Sequence, residues 1–204
     1  MNLAPMMEEI ERCLPEGGEW CSLDKARRMA EIIVELHPKT IVEIGVWMGG
    51  SLIPMLIALR EVGAGRAIAI DPWSQDASRA GETPENVQWW GAVDHDRAFE
   101  VFKDRMQRHN VTDYCEIWRN RSDDVTPPAE IDILHIDGNH SDQAVRDVER
   151  FCPAVRYKGI AVLDDVTWIG GWVSRAVEVA RGLGFVEMYP LGTGLVMQQQ
   201  RSNP

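Results

Sequence analysis

Two short apolar runs in this chain end in acids. The run "DILHIDGNH", Asp132 to His140, stops in Asp-Gly-Asn-His, and "IAVLDDV" delivers the pair Asp164-Asp165. Buried runs that end in carboxylates suit the carboxyl ends of strands, where open α/β sheets hold their ligands. Three acids at one rim, Asp137, Asp164 and Asp165, repel one another and drive at least one pKa up unless a positive group joins them. A divalent cation resolves the conflict, and all-oxygen ligation suits Mg²⁺, with Mn²⁺ or Ca²⁺ as substitutes. The other partners open to Asp164 and Asp165 are Arg146, Arg150 and Arg175. His140 stands three residues beyond Asp137. A neutral imidazole there can act as a general base near pH 7, or simply cap a helix starting near Ser141.

The elements that must position these groups can be read from periodicity. "TIVEIG" (Thr40 to Gly45) and "AIAIDP" are strands, as are "YCEIWRN", "IDILHID" and "GIAVLDD". Helix-period segments separate them: "SLIPMLIALREV", a segment carrying Phe99, Phe102 and Met106, "SDQAVRDVERFCPAV" with Ala144, Val145, Val148 and Phe151 inward, and "WVSRAVEVARGLG". "SLDKARRMAEIIVELHP" is an amphipathic helix before the first strand. "FVEMYPLGTGLVMQQQ" reads as an antiparallel hairpin. This alternation implies a doubly wound, mainly parallel α/β sheet of Rossmann-like type. The expected organisation is an N-terminal helical lid segment, residues 1–39, and one domain over residues 40–204.

The first strand end has its own signature. "VEIGVWMGGS" (Val42 to Ser51) is a strand, a Gly-rich turn and a helix start, and Asp71 closes the next strand. Glycine permits positive φ and close approach of backbone to a ligand. Gly45, Gly49 and Gly50 do not form the G-x-G-x-x-G of dinucleotide folds. Glu43, within the strand end, suits a cationic ligand better than a pyrophosphate. The plainer reading is a tight strand–helix connection with Asp71 as a helix cap.

Taken together, "VEIGVWMGGS", "AIDPW" and "DILHIDGNHSDQAVRDVERFCPAVRYKGIAVLDDV" resemble class I S-adenosylmethionine-dependent methyltransferases. The nearest group is methyltransferase domain 24, which includes macrocin-type and mycinamicin-type sugar O-methyltransferases; the resemblance runs from about Thr40 to Gly194. It implies that Glu43, Gly45 and Gly49 line the methionine and ribose of the cofactor, with Ser51 near its carboxylate. Asp71 would hold the ribose hydroxyls, Trp73 would lie near the adenine, and Ser122 and Asp123 would meet the adenine edge. It further implies acidic metal ligands at the later strand ends and a general base at His140, with Asp137 catalytic through the metal. Two positions depart from the group's pattern, Asn139 and Asp164, where Asp and His are common. The implied activity is metal-dependent transfer of a methyl group from S-adenosylmethionine to a hydroxyl of a small molecule, a sugar or natural-product scaffold. Catechol or phenol methylation, and cofactor binding without turnover, stay open as alternatives, as does a nucleotide-dependent oxidoreductase, which the missing G-x-G-x-x-G disfavours.

The totals bound the partners. With 204 residues and a net charge of -11, the chain is one domain's length and a poor match to a nucleic-acid backbone. No apolar run approaches the ~18 residues of a membrane span, and the N-terminus lacks the pattern of a signal peptide. Four cysteines, Cys13, Cys21, Cys115 and Cys152, are widely spaced, which suits free thiols in the cytoplasm. His135 is expected to be a hydrogen-bonded core histidine. Eight tryptophans are many for this length. Trp89-Trp90 and Trp168/Trp172 are candidate walls of a substrate pocket, and the long Ser74–Gly91 connection is a candidate lid or contact in a homo-oligomer.

Overall fold

The computed structural model describes residues 3–18 and 20–201. Seven strands form one sheet: β1 (Thr40–Ile44), β2 (Arg66–Ile70), β3 (Cys115–Trp118), β4 (Ile131–Ile136), β5 (Val155–Leu163), β6 (Phe185–Leu191) and β7 (Gly194–Gln199). Their order is β3-β2-β1-β4-β5-β7-β6. Pairing is parallel from β3 through β5, and β7 is antiparallel to both β5 and β6. The expected sheet and terminal hairpin are therefore present. The order reverses between β1 and β4, which is where such a sheet opens a crevice for a ligand.

Register brings the rim residues level. Ile44 pairs with both Ile70 and Ile136, and Ile136 pairs with Leu163. The next residue of each strand, Gly45, Asp71, Asp137 and Asp164, therefore emerges at the same height. Their backbone N–H groups continue the ladder, as Asp137 to Ile44 and Asp164 to Ile136 show.

Alternation then assigns faces, because successive strand residues point to opposite sides. Ile41, Ile133, Ile160 and Val162 face one core, built with helices α1 (Ala4–Cys13), α2 (Leu23–Leu36), α3 (Leu52–Val62) and α6 (His95–Arg108). Val42, Ile44, Leu134, Ile136, Ala161 and Leu163 face the other, built with α7 (Gln143–Phe151) and α8 (Trp172–Gly182). On the first face the same rows lead to Glu43 and His135, then to Asp137 and Asp164. That face belongs to α2.

Helix α2 starts where the sequence places it. Ser22 is extended and its hydroxyl accepts the Lys25 N–H at 3.2 Å, satisfying a free amide of the first turn. Its buried positions, Lys25, Ala26, Met29, Ala30, Ile32 and Ile33, repeat at helical spacing. A lysine thus occupies a place on the apolar stripe. Within the N-terminal helical segment, α1 packs beside α2 and α3, and the 3-10 turn after it (Leu14–Gly17) packs beside α6. Between β2 and α6, the Ser74–Gly91 connection folds into two short helices, α4 (Gln75–Arg79) and α5 (Pro84–Ala92). Among the described residues no helix is long and apolar enough to cross a membrane.

Candidate active site

A cleft of about 280 Å³ lies over the carboxyl ends of β1, β2 and β4. Its walls include Gly45, Trp47, Ser51, Asp71, Ser122, Asp123, Asp137, His140 and Asp165. Eight of the sequence-derived positions are thus brought together; Trp47 was not among them.

At the β1 end, Asp71 organises the Gly-rich turn. Its Oδ2 accepts the N–H groups of Val46 and Trp47, each at 2.9 Å, and its Oδ1 accepts the N–H of Trp73 at 2.6 Å. Burial raises its pKa, opposed by these three amides. Asp71 lines the cleft and holds the turn, but it is not a helix cap: the amides it accepts belong to the Gly-rich turn and to Trp73, ahead of the helices that start at Leu52 and Gln75. Gly45 has φ 85°, and a Cβ there would run into the backbone of Asp137. Only glycine lets β1 and β4 end this close together.

Several expectations are corrected here. Gly49 is not on the cleft wall: a Cβ there would strike the Phe102 ring, so its smallness serves packing. Trp73 is not available to an adenine. It is 2% exposed, stacked against Phe99 and Phe102, and its indole N–H donates to the Trp47 carbonyl at 2.8 Å. The tryptophans that reach the cleft are Trp20, Trp47 and Trp90, which pack on one another with ring centroids 5.2–6.3 Å apart. Glu43 is fully buried beneath the wall. Its Oε1 accepts the Ser51 hydroxyl at 2.8 Å, and Oε2 lies 3.0 Å from His135 Nδ1. Burial pushes Glu43 up to about 8 and His135 down to about 3, so near neutrality a protonated carboxyl faces a neutral imidazole. His135 is the core histidine expected.

Ser122 and Asp123 form the opposite wall after β3. The Ser122 hydroxyl donates to Asp147 Oδ1 at 2.6 Å, and Gln143 donates to Ser122, Asp123 and Asp147. Asp147 is buried on α7, and burial pushes it up to about 6. It was missed because an acid in a charged helical stretch reads as a solvent-facing residue.

The segment after β4 is tied to the α4–α5 connection. Asn139 donates to the Ala80 carbonyl at 3.0 Å and accepts the Ser141 N–H at 2.9 Å, so it closes a loop. The His140 N–H donates to Glu82 at 2.8 Å. The imidazole stacks on Trp168 (4.2 Å, 17°), and its Nε2 lies 3.0 Å from Asp165 Oδ2. That hydrogen bond is the main reason the Asp165 carboxyl titrates below its usual range.

The three rim acids do not converge. Asp164 continues the α2 face of β5, whereas Asp165, with φ 50°, turns away to His140. Asp164 Oδ1 accepts the Thr193 hydroxyl at 3.0 Å and the Asp165 N–H at 3.1 Å. Its Oδ2 is paired with the ammonium of Lys25, which also lies 3.5 Å from Asp137 Oδ2. Among the described residues, His135, Asp137 and Asp164 do bring possible ligand atoms within 4.8 Å of one another. Lys25 already occupies that convergence, so the expected set Asp137, Asp164 and Asp165 fits a divalent ion poorly. The arginines weighed as partners lie elsewhere: Arg146 pairs with Asp123 and Asp142, Arg150 bonds the Val125 carbonyl, and Arg175 sits over Trp172.

Fold and cleft together define a class I methyltransferase: the parallel sheet with its β5-β7-β6 hairpin, the Gly-rich turn after β1 and an acid after β2. The methyltransferase-domain family numbered 24 matches residues 42–166, more than half of the chain, and the chain belongs to that family as an S-adenosylmethionine-dependent methyltransferase. No curated protein sequence matches it. Solved structures agree on the fold. The O-methyltransferase TomG of Streptomyces achromogenes, involved in tomaymycin synthesis and bound to S-adenosylmethionine, superposes with TM-score 0.67 at 15% identity, covering 96% of this chain and 90% of its own. The O-methyltransferase NovP gives TM-score 0.69 at 18% identity, covering 94% and 88%. An O-methyltransferase of Bacillus cereus bound to S-adenosylhomocysteine gives 0.64 at 14%, covering 97% and 91%.

Proposed function

We propose that this methyltransferase acts on oxygen, transferring the cofactor's methyl group to a hydroxyl of a small molecule such as a sugar or natural-product scaffold. The observation that carries the reading is the His140–Asp165 pair on the cleft wall beside Asp137. Asp165 accepts from Nε2–H and Trp168 fixes the ring plane, which leaves Nδ1 to take a proton. A hydroxyl placed there can give its proton to His140; S-adenosylmethionine, when bound, would supply the methyl group to that oxygen and would leave as S-adenosylhomocysteine. Acidic walls, from Asp71, Asp123, Asp137 and Glu82, favour a cationic cofactor over a neutral one. The described part of the N-terminal segment, residues 3–18 and 20–39, serves as its cover, contributing Gly17 and Trp20 to the wall.

The Mg²⁺ or Mn²⁺ of the sequence-based expectation would have to be held by Asp137 and Asp164 after displacing Lys25, and no step of this mechanism uses it. A second reading, methylation of a catechol or other phenol, draws on the Trp20, Trp47 and Trp90 wall, which suits a flat ring. A cytoplasmic setting is in keeping with four free thiols, whose burial pushes them up to about 11 or 12 and keeps them inert.

Labelled S-adenosylmethionine offered with panels of sugars, polyketide-type scaffolds and catechols separates the two readings. His140→Gln is expected to lower kcat by about 10²–10⁴-fold with S-adenosylhomocysteine affinity unchanged. Undiminished turnover in that variant removes His140 as the base. Cofactor binding with no acceptor in any panel favours a non-catalytic role.

A further inference from the structure

We infer that the acidic rim of this enzyme carries its own cation: the Lys25 ammonium stands between Asp137 and Asp164 in the position of a divalent ion, and the site works without a metal. The inference rests on the methyl-transfer reading of the cleft.

Three observations support it. The lysine is placed by its helix, not by chance contact. Its side chain is 4% exposed, and its neighbours on the stripe, Ala26, Met29, Ala30 and Ile33, are buried in the core below the sheet. Withdrawing the ammonium would require the stem to leave that packing. The acids are also committed elsewhere. Asp164 uses Oδ2 for Lys25 and Oδ1 for Thr193 and the Asp165 N–H, and Asp165 is held by His140. A metal would need at least the first of these released. Finally, the charges already balance to a modest deficit. Asp137 and Asp164 against Lys25 leave one net negative charge next to the sulfonium site, whereas a divalent ion added beside the ammonium would place like charges in contact.

The arrangement also gives Lys25 a positioning role. Strand alternation puts Asp137 on the α2 face, and the 3.5 Å pair with Lys25 anchors its Oδ2 there while Asp137 still lines the cleft.

Mn²⁺ titration followed by electron paramagnetic resonance tests this without any acceptor. Wild-type protein is expected to bind Mn²⁺ no tighter than about 1 mM, and its melting temperature should be indifferent to Mn²⁺ and to EDTA. Lys25→Met keeps the apolar stem and removes the charge. It should bind Mn²⁺ at least about tenfold more tightly than wild type and gain melting temperature from it, while Lys25→Arg should behave as wild type. Wild-type binding below about 100 μM that Asp137→Asn abolishes would overturn the inference. So would a folded Lys25→Met protein that ignores Mn²⁺, since the acids would then need no cation. If Lys25→Met does not fold, the wild-type titration decides alone. Calorimetry with S-adenosylhomocysteine on the same wild-type sample tests the underlying reading separately, because loss of that binding sinks the methyltransferase site and leaves the Mn²⁺ result standing.

Discussion

The rim of β1 and β2 and the rim of β4 and β5 face the same cleft with the same raw material, a buried strand ending in an acid, and they satisfy that acid in different ways. Asp71 is met by three backbone amides from the turn it helps to shape, at Val46, Trp47 and Trp73. Asp164 is met by a side chain 139 residues away, the Lys25 ammonium of a helix docked under the sheet. The first rim is self-contained, built from β1, its turn and the end of β2. The second depends on a tertiary contact. Backbone donors are fixed by the local fold and cannot be exchanged, whereas a buried side-chain charge can be removed by one substitution.

The largest test couples the two rims. Gly45→Ala puts a side chain where the Asp137 backbone lies, at a positive φ that alanine resists. Urea denaturation should show a loss of about 3 kcal/mol or more. A loss under about 1 kcal/mol would mean that the two strand ends do not need this close approach.

A smaller effect separates local from distant pairing. Asp71→Asn keeps one acceptor and turns an NH₂ group toward a backbone donor, leaving at least one buried N–H without a partner. The expected cost is about 1–3 kcal/mol, with S-adenosylhomocysteine affinity down by about tenfold, read by calorimetry. Unchanged affinity would show that the turn holds its shape without the acid.

The most gradual effect is in the pH dependence of stability, one layer below the rim, because it is spread over several pH units. Glu43, raised to about 8 in the fold, keeps a proton that the unfolded chain gives up in the ordinary carboxylate range, so its contribution fades as pH rises through about 8. His135, lowered to about 3, refuses a proton that the unfolded chain takes up below about 6.5, so its contribution fades as pH falls toward 3. Each effect is at most about 1.4 kcal/mol per pH unit within its window. In melting curves from about pH 5 to 9, Glu43→Gln should flatten the decline between about pH 5 and about pH 8; an unchanged slope there would show that Glu43 is already ionised.

The contrast between the rims also explains what could be read in advance. The strands, the hairpin, the Ser22 helix start and the two acid-bearing ends all follow from short-range periodicity, and the structure has them. His140, Asp137 and Asp71 are legible as cleft residues because they sit at or just past strand ends, whereas Ser51, Ser122 and Asp123 follow from the resemblance to the methyltransferase family. Trp73 was misplaced because a positive-φ turn, φ 41°, sends its ring down into α6. Grouping Asp164 with Asp165 overlooked a rule already in the sequence: neighbours at a strand end point to opposite faces. Lys25 also left a trace, since it shares helical spacing with Met29, Ile32 and Ile33. A lysine on an apolar stripe more often snorkels to solvent, and nothing within its helix names a partner.

What the chain's order of residues settled by itself is which groups reach the mouth of the sheet, because strand length and two-residue alternation are local matters. What only the tertiary structure decided is how their charges are balanced. A carboxylate buried at a strand end takes whatever donor the packing brings within a few ångströms, and the helix that brings Lys25 to Asp164 is positioned by its whole apolar face rather than by any signal near either residue.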